Sequence, residues 1–222
     1  VDFDLRGEHG EGVLSMRGRI PLSASSPDGI DGFQAMVELQ HISVDDSLRT
    51  ALAVSTPALD EPWRQSQPKG HFDGVVKVWR PSPSDPLHHD VQLQLDGLSL
   101  ELPCPMWRAT GLTGRLLVQG KGDQARIDFD ALRGELEHDG GKPAQLAMLG
   151  TFGNAPAAHD DLAFVVRGLE LDDHLGKSLE ALGALGPGVW TTLRPSGTVD
   201  LVCRHSRDTD EQQLRLVLQL ID

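Results

Sequence analysis

Apolar and polar residues alternate along most of this chain with a period of two. At the start, Val1, Phe3 and Leu5 alternate with Asp2 and Asp4, which is typical of a β-strand that has one face on a core and the other in water. The pattern resumes after each turn rich in Gly, Pro, Asp or Ser. It predicts about eleven strands. Nine of them lie at 1–7, 13–20, 33–39, 75–78, 91–102, 112–118, 162–171, 199–203 and 214–220, one more begins at 127, and one more ends at 148.

One predicted strand changes the phase of its alternation midway. Its apolar positions are odd-numbered from Val91 to Leu95 and even-numbered from Leu98 to Leu102. The change falls at Gly97, and a glycine at such a point is typical of a β-bulge, which inserts one residue and restores the phase. We therefore expect all the apolar side chains of this strand to face the same side of the sheet.

Two segments interrupt the strands with helical periodicity. In each, an Asp precedes apolar residues spaced three or four apart, and the Asp is a good N-cap because its carboxylate accepts backbone N–H bonds at the start of a helix. A Trp follows, and a Pro and a Gly end the segment. We predict one helical lid at 45–67 and another at 172–194. The residues that define them are Asp45, Leu48, Leu52 and Trp63 in the first lid, and Asp172, Leu175, Leu179 and Trp190 in the second.

The two lids are copies of one sequence. They are offset by 127 residues, as from Asp45 to Asp172, and nine of the 33 positions aligned at this offset are identical, where average residue usage gives roughly two. A fixed period is the mark of a repeat architecture. We therefore divide the chain into repeat unit 1, at 1–126, and an incomplete repeat unit 2, at 127–222, which share one sheet.

Charge and composition argue against some classes of partner. The 222-residue chain has a formal net charge of −13 and a sequence pI of about 5.0. Nucleic-acid binding requires clustered Lys and Arg, and docking on an anionic membrane requires polybasic segments, so we expect neither. No apolar run reaches the roughly 18 residues that span a bilayer, and no signal peptide is visible. Because the chain begins without Met, inside a strand whose second copy lies within a unit, we expect further sequence before it.

No motif predicts catalysis, a metal site or a cofactor. His88, His89 and Asp90 are adjacent, so a strand would point them to alternate faces, and we interpret the histidines as exposed loop residues. Helix capping explains the Asp pair of each lid, since no spaced oxygen ligands for Ca²⁺ follow it. The sequence contains no Gly-x-Ser-x-Gly and no phosphate loop, so we expect no enzyme activity. Cys104 and Cys203 are predicted to be unpaired thiols.

The remaining candidate site is extended, because every predicted strand carries apolar residues on one face. Two sheets that close on each other would bury this face, whereas one curled sheet would leave an open trough available to acyl chains. The predicted fold is mainly β, with repeated antiparallel strands in an extended twisted sheet or half-barrel (open groove) and short helical lids inserted once per unit. The predicted lining residues are Leu14, Met16, Phe33, Val37, Leu39, Val91, Leu93, Leu95, Leu98, Leu100, Ile127, Phe129, Leu146 and Met148.

Several segments resemble a known family. The pattern Leu-Gln-Leu-x-Gly-Leu-Ser-Leu at 93–100, the pattern Thr-Gly-Leu-Thr-Gly-x-Leu-Leu-Val at 110–118 and the insertion at 172–201 look like those of AsmA-like and TamB-like envelope proteins. The resemblance implies a segment of a longer, membrane-anchored protein on the periplasmic side of the cell envelope. In that family, long twisted sheets form a groove between two membranes that carries phospholipid or assists outer-membrane assembly. Flanking repeat units of the same chain would then be its neighbours.

Three hypotheses follow from these patterns. The leading one is a non-enzymatic β-groove module that binds or conducts phospholipid or another acyl-chain lipid. The alternative is a structural or interaction module, a spacer or adhesion-type array with a closed core and no ligand. A third, a lectin-like domain, predicts that Trp63 or Trp190 lines a surface cleft the size of a sugar, and it is disfavoured by the absence of Tyr.

Overall fold

The computed structural model describes residues 1–21, 32–55, 60–102, 107–122, 124–138, 140–153, 160–181, 183–208 and 211–221. Strands dominate it. They are β1 (Asp2–His9), β2 (Gly12–Arg19), β3 (Phe33–Ser43), β4 (Lys69–Arg80), β5 (His88–Glu101), β6 (Trp107–Lys121), β7 (Gln124–His138), β8 (Ala144–Gly153), β9 (Asp160–Glu170), β10 (Thr198–Asp208) and β11 (Glu211–Ile221). The helices are α1 (Asp46–Ser55), α2 (Asp60–Ser66), α3 (Asp173–Ala181) and α4 (Val189–Leu193).

All eleven strands belong to one antiparallel sheet, in which they lie in chain order from β1 to β11. The two ends of this order do not meet, so the sheet is open. The mainly β prediction is therefore confirmed, with short helices inserted after β3 and after β9. Short connections favour pairing between successive strands, which is why a chain of alternating segments gives a meander.

In five strands, a residue with φ between 51° and 70° lies where the pairing shifts register. These residues are His41 (φ 51°), Gly97 (φ 66°), Gly111 (φ 59°), Ala131 (φ 53°) and Gly168 (φ 70°). The predicted bulge in β5 is confirmed, because the register with β6 shifts between Leu95 and Leu98, on either side of Gly97. The other four bulges were not predicted.

The bulges keep one face of the sheet apolar over its whole width. Val91 pairs with Val118 and, beyond the bulge, Leu98 pairs with Leu112, so the apolar residues on both sides of Gly97 share a face. We call this the apolar face and the opposite one the charged face. Ion pairs on the charged face join neighbouring strands: Arg19–Asp2, Arg17–Glu38, Arg108–Glu101, Arg115–Asp130 and Arg204–Asp161.

Residues matched by the repeat occupy matched backbone positions. The matched hydrogen bonds are Leu48 N–H to Asp45 and Leu175 N–H to Asp172, both 2.9 Å, Val44 N–H to Gly70 at 2.9 Å and Leu171 N–H to Gly197 at 3.0 Å, and Gln67 N–H to Trp63 and Arg194 N–H to Trp190, both 2.8 Å. The division proposed between 126 and 127 falls within β7, and the sheet continues across it.

Two aspartates at equivalent positions of the repeat, Asp73 and Asp200, have the same role in the two units. Asp73 accepts a hydrogen bond of 2.6 Å from the backbone N–H of His41, and Asp200 accepts one of 3.0 Å from Gly168. In both units the acceptor lies on the strand that follows the lid, and the donor is the bulge residue of the strand before it. Each aspartate therefore satisfies a backbone donor that the bulge removes from the ladder.

Candidate functional site

An unbroken row of apolar side chains crosses the apolar face from β1 to β8. Each member is the register partner of the next, and the row consists of Leu5, Met16, Val37, Val76, Val91, Val118, Ile127 and Phe152. Directly opposed side chains on one face lie about 5 Å apart, so the row forms a continuous hydrocarbon surface. Its outer members are the most accessible, with Leu5 58% and Phe152 41% exposed.

The structure places every predicted lining residue on this face. Leu14 and Leu39 are register partners, as are Leu93 and Leu116, and the pairings of the other predicted residues put them on the same side. Leu95 and Leu146 are buried, whereas the rest of the predicted lining is half-buried. In the described part of the chain, every strand belongs to this one sheet, so no second sheet closes over the face.

Helices α3 and α4, the second lid, pack on the apolar face at one end of strands β5 to β10. Leu175, Leu179 and Trp190 are buried there. They join a core cluster that also contains Trp107, Ala109, Leu112, Leu136, Ala144, Leu146, Val166, Leu169 and Val199. At this end the apolar face is therefore a closed core, whereas most of its side chains along the remainder of the strands are half-buried.

Two residues that hold the second lid were missed by the sequence analysis. Trp107 donates a hydrogen bond of 2.7 Å from its indole N–H to Ser178 of α3. His138 lies with its Nε2 3.0 Å from the Asp172 carboxylate, and its ring meets the Trp107 ring edge-on at 4.7 Å. A sequence signal existed for Trp107, because a lone Trp beside an apolar strand is typical of a core residue.

Helices α1 and α2, the first lid, are more exposed than the second lid. Trp63 is half-buried and lines a concavity of about 720 Å³ beside the two helices. Arg49 forms an ion pair with Asp60 of α2 at 3.3 Å and another with Asp46 of its own helix at 3.2 Å. The lectin-like hypothesis predicts a tryptophan in a surface cleft. Trp63 has such a position, whereas Trp190 is buried. The side chain of Leu52 lies outside the described part of the structure.

Both predicted N-caps are present, and their surroundings differ. Asp45 is an exposed residue, and the hydrogen bonds from the Leu48 N–H and the Ser47 hydroxyl lower the pKa of its carboxyl despite partial desolvation. His9 lies 3.3 Å from it. Asp172, in contrast, is half-buried and touches His138, whose side chain is only 3% exposed.

We expect Asp45→Ala to lower the free energy of unfolding by about 1 kcal/mol, the usual value of an N-cap. Asp172→Ala should cost about 2 kcal/mol, because it also removes a polar contact of the buried His138 imidazole. Urea unfolding at pH 7 measures both values, and Asp173→Asn, at the exposed neighbour of Asp172, is the control. Equal losses in the two lids would contradict a separate contribution from His138.

Acid should remove the contribution of Asp45. Because the folded pKa of this carboxyl is lowered, its stabilisation is complete above the unfolded value of about 3.9 and disappears as the pH falls through the folded value. The difference in unfolding free energy between the wild-type chain and Asp45→Ala should therefore shrink between pH 5 and pH 2. A difference that stayed constant over that range would show that the charge of Asp45 has no part in capping.

The histidines interpreted as loop residues lie within β5 instead, and both are half-buried. His88 stacks on Trp79 with 5.2 Å between ring centroids, and the ring of His89 lies against Gly120, which has no side chain to displace it. Because both histidines have contacts on neighbouring strands, β5 begins at His88 and not at Val91, where the alternation begins. Among the described residues, no group of three His, Cys, Asp or Glu side chains is arranged to hold a metal.

Of the two cysteines, only Cys203 lies in the described part of the chain. Cys203 is a half-buried free thiol, and burial raises its pKa, which disfavours the reactive thiolate. Cys104 lies outside the described residues. Helices able to cross a bilayer, judged by length and hydropathy, are not found among those described.

Comparison of the chain with protein-family models, with curated proteins and with solved structures finds no match.

Proposed function

We propose that this chain is a non-enzymatic module that holds the acyl chains of lipids on its apolar face, as part of a larger cell-envelope protein. The observation that supports the proposal is the row from Leu5 to Phe152, which crosses eight strands without a second layer over it in the described part of the chain. Soluble proteins rarely leave a contiguous apolar surface of this extent uncovered unless something binds there.

The charged face supports the same assignment. Its ion pairs join neighbouring strands, and the Arg204 guanidinium holds the pKa of the Asp161 carboxyl below its usual value. Such a surface is well solvated and has no need of a covering layer. A sheet with one wet face and one apolar face that only a lid partly covers is suited to an amphiphilic ligand.

Two substitutions on β8 test the proposal with a matched control. Phe152 lies on the apolar face and is 41% exposed, whereas Leu149 lies on the charged face and is 52% exposed. We expect the purified protein to bind a single-chain phosphocholine lipid, and Phe152→Asp to weaken binding about tenfold, since the carboxylate would have to be desolvated beside the chain. Leu149→Asp should leave the affinity unchanged.

Equilibrium dialysis or isothermal titration calorimetry gives the affinities, and native mass spectrometry shows whether lipid is carried through purification. No binding by the wild-type chain would reject the proposal. An equal loss of affinity in both variants would show that exposed apolar residues on either face bind lipid, and that the apolar face is not a specific site.

A second candidate, an interaction module, has one observation in its favour. A short apolar row crosses the charged face from β8 to β11, through Ala147, Val165, Val202 and Val217. Val202 is 39% and Val217 42% exposed. Analytical ultracentrifugation distinguishes the candidates, because self-association abolished by Val202→Asp, without any lipid binding, would favour this one.

A further inference from the structure

The ends of β2, β3 and β4 that lie away from the lids form a concavity of about 420 Å³ at the rim of the apolar face. Phe33 and Arg80 line it from the apolar face, and Arg19, Gln34 and Trp79 line it from the charged face. Phe33 and Arg80 are register partners on the apolar face, and the Arg80 Cζ lies 5.6 Å from the centre of the Phe33 ring. An arginine thus stands at the end of the apolar row of β4, where His89, the register partner of Val78, is the neighbouring polar side chain on the same face.

Arg80 differs from the paired arginines of the sheet. Arg17, Arg115 and Arg204 lie on the charged face, each beside a carboxylate. Arg80 has no ion pair among the described residues, and its Nε is buried without a hydrogen-bond partner there. A buried guanidinium donor without an acceptor is costly. An oxyanion supplied by a ligand would satisfy it, because the planar fork of arginine matches the geometry of phosphate and carboxylate.

We propose that Arg80 binds the anionic head group of an amphiphile whose acyl chain lies on the apolar face. The inference rests on the proposed function and adds the polarity of the bound lipid, with its head at the rim and its chain extending toward the lid. From Arg80, the side chains of Val78 and Val76 continue β4 on the same face. The net charge of −13 repels anions in general, so the head-group contact would depend on this local guanidinium.

The test compares three ligands: a monoacylglycerol phosphate, the uncharged monoacylglycerol with the same chain, and inorganic phosphate. We expect the wild-type protein to bind the phosphate ester about tenfold more tightly than the uncharged lipid, as one charge-assisted contact implies. Arg80→Gln should remove this preference and leave the affinity for the uncharged lipid unchanged. Arg80→Lys should keep part of it.

Arg133→Gln is the matched control, since it removes the same charge from the charged face, where Arg133 is exposed. Circular dichroism and thermal melts establish that each variant is folded. The same preference in Arg80→Gln as in the wild type would overturn the inference, and so would equal effects of the two Gln variants.

Three further outcomes separate the inference from the function on which it rests. If neither lipid binds, the proposed function fails and the inference fails with it. If both lipids bind with equal affinity, the acyl-chain site stands and the head-group assignment is overturned. Binding of inorganic phosphate that depends on Arg80, with no gain from the acyl chain, would identify a small-anion site and also overturn the assignment.

Discussion

Replacing Gly176 by Ala should destabilise the protein by about 3 kcal/mol, although Ala is the better helix former by about 1 kcal/mol. Gly176 is buried in α3, and a Cβ atom there would meet three atoms of the Trp190 ring at distances that real Cβ atoms essentially never show. Trp190 is itself only 8% exposed, so the ring has no free space into which it could move. Urea unfolding followed by tryptophan fluorescence measures the loss.

A double-mutant comparison identifies the cause of this loss. In the Trp190→Ala background the obstruction is gone, so Gly176→Ala should be neutral or stabilising by up to about 1 kcal/mol, as helix propensity alone predicts. Lys177→Ala, at the exposed neighbouring position, should have little effect in either background. A loss of similar size with and without Trp190 would mean that the glycine is required by the backbone and not by the ring.

The same position explains why the two lids differ although their sequences match. The repeat predicted equal lids from Asp45 and Trp63 and from Asp172 and Trp190. At the offset of 127, however, Gly176 corresponds to Arg49, whose side chain forms ion pairs with Asp46 and Asp60. A Trp can lie flat on a helix over a glycine but not over an arginine. Identity at nine positions predicted the shared backbone, and one unmatched position decides the packing.

The bulges show which part of the strand signal is reliable. Gly97 was predicted because a glycine coincides with a change of apolar phase, but the same change occurs at His41, between Leu39 and Ile42, and at Ala131, between Phe129 and Leu132. Neither of these is a glycine. The phase of the apolar residues was therefore the informative feature, since burial of one face forces the extra residue into the backbone whatever its side chain.

The candidate face followed from the sequence, but its covering did not. Alternation fixes which side chains share a face, and every predicted lining residue lies on the apolar face. It does not fix what lies above them, because an open sheet and a sandwich require the same parity. The contact of Trp107 with Ser178 joins residues 71 apart in the sequence, and only the order of the strands brings them together.

Leu95→Asp should unfold the chain or cost about 4 kcal/mol, whereas Leu5→Asp should cost less than about 1 kcal/mol. Both leucines lie on the apolar face, but Leu95 is 7% and Leu5 58% exposed. Phe72 and Gly114 flank Leu95 in the register, and neither offers a partner to a carboxylate. The same substitution thus measures how far water reaches along one face.

Acid should partly restore Leu95→Asp. Burial disfavours the charged form and raises the folded pKa of the introduced carboxyl, so the penalty is greatest above that pKa and falls as the pH drops below it and the group becomes neutral. Urea unfolding at pH 7 and pH 4, with Leu5→Asp as the reference, tests this. If Leu95→Asp instead folds at pH 7 with a loss below about 1 kcal/mol, water enters the apolar face as far as β5, and the closed core is confined to the residues directly beneath α3 and α4.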